Sequence, residues 1–95
     1  MTALVALPER LDLASAASLA DILRAQIGAD LTLDAAGVRH VGALGAQVLL
    51  SAAATWTATG HALSLDQPSP DFLAHMAELG IAPADLTADG VAHVA

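Results

Sequence analysis

The chain has 95 residues, enough for one domain and no second core, and 56% of them are hydrophobic, so a packed interior needs neither disulfides nor a structural metal. Cysteine is absent, which excludes a disulfide framework, a thiol nucleophile and a thiolate zinc site. The only cations besides histidine are Arg10, Arg24 and Arg39 against ten acids, a net charge of −7 that repels nucleic acid and anionic membranes and leaves a protein or a neutral molecule as the expected partner.

Ala3 to Leu7 is a short apolar run ended by Pro8 and reads as a buried strand. Residues 13 to 27 read as a helix with Ala16, Leu19, Ala20, Ile22, Leu23 and Ile27 on its apolar face, stopped by Gly28. Leu31, Thr32 and Leu33 form a strand core between Asp30 and Asp34, and Val38 and Val41 bracket a turn into a second helix. That helix is expected from Ala43 to Thr59, with Val48, Leu49, Ala52, Ala53 and Trp56 buried and Gly60 as its stop. Leu44 in its first turn projects on the polar side with Gln47 and Ser51. His61 to Leu65 alternates as a half-buried strand. Ser69, Pro70 and Asp71 start a third helix, with Phe72, Leu73, Met76 and Leu79 as its apolar stripe and Gly80 as its end.

After Pro83 the pattern fades: Asp89 and Gly90 suggest a turn, and Val91 and Val94 are too little for a strand. Strands alternating with helices imply an α/β fold, a small, mostly parallel sheet of about four strands with three helices packed on it. No run approaches the ~20 apolar residues of a membrane span. Met1 to Leu7 has neither the basic start nor the length of a signal segment, and the expected location is the cytoplasm.

Three stretches, in this order, resemble the STAS domain family of bacterial anti-sigma factor antagonists and sulfate-transporter tails. RLDLASAASLADIL, residues 10 to 23, is similar to its second strand and first helix, with Asp12 followed after two residues by the hydroxyl of Ser15. LTLDAAGVRHVGALGAQVLLSAA, residues 31 to 53, resembles its central strand, turn and second helix, and GHALSLDQPSPDFLAHMAELGI, residues 60 to 81, its next strand and Ser-Pro-started helix. The resemblance implies a small domain that binds protein partners, a serine kinase or anti-sigma-type regulator, or a chemotaxis component. An alternative within the same fold is a subunit of an ABC-type phospholipid transporter, bound to its ATPase.

In regulatory members a serine at the turn is phosphorylated to switch binding off, preceded by an acid and followed by a small residue and Gly. Here these positions read Gly42, Ala43, Leu44 and Gly45. Ala43 has no oxygen to accept a phosphoryl group, and Ser51 lies about two turns further along the helix. Short, alanine-rich STAS proteins that accompany chemotaxis genes resemble this chain in lacking that serine.

A turn stripped of its hydroxyl still presents backbone donors beside an apolar side chain. Leu44 is either an ordinary exposed leucine or, with Gln47, the centre of a partner footprint with Arg39 and His40 at its rim, in a surface that also takes in Asp12, Gly42, Ala43 and Gly45. Gly42 and Gly45 match no phosphate-binding fingerprint, and close packing of helix on strand explains them better. Asp12 either caps the first helix or pairs with a hydroxyl near the turn, and Ser15 and Ser69 present the same choice.

His40, His61, His75 and His93 show no helical metal spacing, and no metal or other cofactor is expected. A hydrolase built from Ser51, His40 and Asp34 lacks a nucleophile elbow, so a noncatalytic role is expected.

Overall fold

The computed structural model of the protein describes residues 2–90. Apolar residues at every second position build the central strands, β1 (Ala3–Ala6), β3 (Leu31–Asp34) and β5 (Ala62–Asp66), which pair in parallel in the order β1-β3-β5. Their register sets Ala3 beside Leu31 and Leu63, and Val5 beside Leu33 and Leu65, so these side chains share one face. Leu31, Leu33 and Leu63 on that face are fully buried. The other face carries Leu4, Thr32 and Ser64 in one row and Ala6, Asp34 and Asp66 in the next. β1 lies at the edge of the sheet with Leu4 65% exposed, so the buried strand expected there is half-buried, covered on one face only.

Two-residue strands β2 (Arg10–Leu11) and β4 (His40–Val41) form a separate parallel ladder. Helix α1 (Leu13–Ala25) follows β2, and α2 (Ala43–Thr59) follows β4. The sequence-based bounds of α2 are met at both ends. Leu49, Ala52, Ala53 and Trp56 are buried and Val48 is half-buried, while Gly60 closes the helix in the left-handed conformation with φ of 75°. The Trp56 indole N–H donates to the Ala29 carbonyl at 2.9 Å, tying α2 to the loop before β3.

Helix α3 (Pro70–Glu78) starts as expected, with the Ser69 hydroxyl accepting from the Phe72 N–H at 3.0 Å and Pro70 in the first turn. The same hydroxyl donates to the Val38 carbonyl at 2.5 Å, so Ser69 serves structure.

Three further expectations are corrected. Helix α1 ends at Ala25 with Gln26 as its cap, and Gly28 lies beyond, in a turn with φ of 97°. Ile22 and Ile27 remain 47% and 48% exposed, because α1 packs chiefly against α2 and β2 and buries only the Leu19 and Leu23 line. On α3, Phe72 and Met76 are buried but Leu73 and Leu79 are 38% and 43% exposed, since that helix leans chiefly on β4.

The third correction concerns the chain after Pro83. Pro83–Leu86 forms a 3₁₀ turn that packs against α2 and β5, with Leu86 fully buried. β6 (Ala88–Asp89) then adds antiparallel to β5, placing Ala88 opposite Leu63. Gly90 bends the chain with φ of 78°, and the expectations for Val91, His93 and Val94 lie outside the described residues. The result is an α/β fold of three helices on a mostly parallel four-stranded sheet.

Candidate functional site

The turn into α2 is fixed to β2 by main-chain bonds. The Arg39 and His40 N–H groups donate to the Glu9 carbonyl at 2.8 and 3.2 Å, and the Gly42 N–H donates to the Leu11 carbonyl at 2.7 Å. Gly42 is the N-cap of α2, extended at φ of −98°, and its carbonyl accepts from Ala46 at 3.0 Å. It offers no capping side chain, and α2 has no acid in its first turn.

Gly45 lies one turn into the helix against the same Leu11 carbonyl. A Cβ here would stand 2.4 Å from the Leu11 oxygen and 2.7 Å from the Leu11 carbonyl carbon. Neither backbone atom can swing aside, so the close approach of α2 to β2 requires glycine. At Gly42 the nearest atom would be 3.5 Å away, an ordinary contact. The packing explanation offered for both glycines therefore holds at Gly45 and not at Gly42.

Around this buried hinge the remaining residues spread outward. Ala43, Leu44, Gln47 and Arg39 are exposed, Leu44 at 51%, and His40 is half-buried. The Arg39 Nε lies 3.8 Å from a Glu9 carboxylate oxygen, both side chains largely in solvent, a pairing worth little. Gln47 also borders an apolar groove of about 240 Å³ between α1 and α2, with Leu23, Ile27, Val48 and Trp56.

Asp12 adjoins the turn through its backbone, its Cα being 3.8 Å from where a Gly42 Cβ would stand. Its side chain turns the other way. One carboxylate oxygen accepts from the Ala14 and Ser15 N–H groups at 3.1 and 3.4 Å, while the Ser15 hydroxyl accepts from the Asp12 N–H at 3.1 Å and donates to the Arg10 carbonyl at 2.6 Å. This reciprocal box caps α1, which decides between the two roles open to Asp12 and Ser15. The Arg10 Nε, 3.1 Å from the second oxygen, does most to hold the Asp12 carboxyl below its ordinary value; burial opposes the shift, and the Ser15 and Ala14 N–H groups add to it.

Sequence reasoning missed His75. Its Nδ1 accepts a hydrogen bond from the Val41 N–H at 3.0 Å, and its ring meets that of His40 edge-on, centroids 5.4 Å apart. The two histidines come from α3 and β4, and no local spacing announces the contact. Ser51, His40 and Asp34 are not joined by any hydrogen bond among the described residues; the Asp34 carboxylate instead accepts from the Ala36 N–H at 3.0 Å. Among the described residues no group of three or more His, Cys, Asp or Glu side chains could hold a metal ion, and no helix is long and apolar enough to cross a membrane.

Comparison with known proteins gives one match. A family model described as "Mlab, STAS domain" covers residues 2–87. No curated protein and no solved structure matches the chain. STAS domains are in general noncatalytic modules that bind protein partners. With the match running from β1 to the end of the 3₁₀ turn, and with the strand, turn and helix order just described, the chain belongs to the STAS domain family.

Proposed function

We propose that this protein is a noncatalytic adaptor of bacterial signalling that docks a protein partner through the turn at residues 39 to 47. Leu44 and Gln47 form the centre of the footprint, Arg39 and His40 its rim, and Gly42, Ala43 and Gly45 the backbone that shapes it, with Asp12 adjoining it through its backbone alone. The observation that carries this reading is the entrance of α2, which lacks a capping side chain and has an exposed leucine beside it. Its first N–H groups are left for water or for a partner's acceptors. The partner is an anti-sigma-type kinase regulator or a chemotaxis component. Ala43 makes the docking constitutive as far as phosphorylation of this turn is concerned.

The test is affinity capture from the native cytosol with the wild type and with Leu44→Asp. Replacing an exposed side chain changes stability by less than about 0.5 kcal/mol. The variant should therefore melt with the wild type while losing its partner. Capture that survives in the folded variant places the footprint elsewhere. Retention of an ABC ATPase in place of a soluble regulator would identify the chain as the transporter subunit of the alternative reading.

A further inference from the structure

We propose that His75 is an acid-sensitive latch on the docking turn, with the His40 ring packed edge-on beside it. The proposal rests on the docking reading for its functional consequence and on geometry for everything else.

β4 is paired on one side only. The His40 and Gly42 N–H groups point toward β2 and find the Glu9 and Leu11 carbonyls. By the alternation of a strand, the Val41 N–H between them points away from β2, where no further strand lies within its two-residue ladder. The imidazole of His75 takes the place of that missing strand, accepting the Val41 N–H at Nδ1 across 34 residues of chain, at 3.0 Å. Only a ring with an unprotonated Nδ1 can accept this bond, so the ring is neutral and carries its proton on Nε2. Once protonated, Nδ1–H would face the Val41 N–H, donor against donor, with no acceptor between them.

The surroundings decide how far this matters. From β4 the His40 ring stands edge-on at an interplanar angle of 70°, so a second protonation would set two cations side by side. From β2 and its flanks come Glu9, Arg10 and Asp12, and from just before β4 comes Arg39; they pair among themselves as Arg10 with Asp12 and Arg39 with Glu9. On α3 itself Asp71 and Glu78 lie four residues before and three after His75, both exposed, and they soften the charge rather than restore the lost bond. The latch is thus closed while Nδ1 is unprotonated and opens when the ring takes up a proton there. Val41 directly precedes the N-cap of α2, so its release loosens the seat of the docking turn.

The test is amide hydrogen exchange by NMR on the full chain at about pH 7.5 and about pH 5, corrected for intrinsic exchange. In the wild type, protection of Val41 should fall about tenfold on acidification while that of Leu33 in β3 holds, the size expected for loss of one part-buried hydrogen bond. In His75→Asn, whose side-chain carbonyl keeps an acceptor and does not titrate, Val41 should stay protected at both values. Unchanged Val41 protection in the wild type, or an equal fall at Leu33, overturns the latch. Should the variant fail to fold, the imidazole nitrogen shifts of the wild type decide alone: a proton on Nδ1 at about pH 7.5 overturns the proposal. In the capture assay, partner binding should weaken with acid in the wild type and not in His75→Asn. Capture indifferent to Leu44→Asp refutes the docking reading and leaves the exchange result standing.

Discussion

The entrances of α1 and α2 both adjoin Leu11 and are built on opposite plans. At α1 the Asp12 carboxylate fills two N–H groups, the Ser15 hydroxyl returns the favour, and Arg10 completes the charge balance. At α2 the N-cap is Gly42, with no side chain to fill anything, and the helix is positioned by main-chain contact of Gly42 and Gly45 with the Leu11 carbonyl. One entrance is sealed by chemistry, the other is held by shape. A helix end satisfied by its own side chains has nothing left to offer a second molecule, whereas one located by packing keeps its donors free.

Three substitutions probe this contrast, beginning where the effect is largest. Gly45→Ala drives a methyl into the Leu11 backbone and should destabilise the fold by about 3 kcal/mol, lowering the melting temperature by about 15 °C. A shift of only a degree or two in a thermal melt would mean that α2 can slide away from β2, and that shape does not position it. Gly42→Asp supplies the cap and first-turn charge that α2 lacks, in a place with room for a Cβ. It should raise stability by about 0.5 kcal/mol in urea unfolding and at the same time reduce partner capture, because the donors become occupied. Higher stability with undiminished capture would separate the free donors from docking.

The smallest effect belongs to Asp12→Asn, which keeps a capping oxygen and loses only the charge. At neutral pH the melting temperature should barely move. The difference appears in acid. The Asp12 carboxyl titrates below its ordinary value in the folded protein, so its contribution is fully present above the unfolded value of about 3.9 and is lost as pH falls through the lower folded one. Wild-type protection of the Ser15 amide should decline below about pH 4, and that of the variant should not. A decline shared by both would assign the acid sensitivity to another group.

How much of this could be read from the sequence follows the range of each interaction. The ends of α2 and the start of α3 were legible, because Gly60, Ser69 and Pro70 act within one helical turn. The role of Gly45 was suggested by the glycine itself, but its distinction from Gly42 depends on where Leu11 passes, more than thirty residues earlier. Ile22, Ile27, Leu73 and Leu79 follow the correct period yet stay half exposed, since periodicity gives the direction of a face and not the width of what covers it. Leu86 sits alone in a polar stretch, and its burial depends on α2 and β5 lying beneath it. The strand-to-helix junction with its two glycines is a local signal, and it marks the turn as the candidate surface. The bond from Val41 to His75 left no trace in the local pattern, as both partners are ordinary residues until the fold brings α3 to β4.

The meeting of Gly45 with the carbonyl of Leu11 also separates two properties that most surfaces confuse. Because main-chain atoms set how closely the start of α2 approaches the ladder, and the buried side chains from Leu49 to Trp56 hold the rest of the helix, the exposed residues 43, 44 and 47 contribute little to aiming it. Those three positions can be rewritten to suit a new recipient while the platform beneath them stays put, so a library varied there and constant at 45 is the natural starting point for redirecting the molecule.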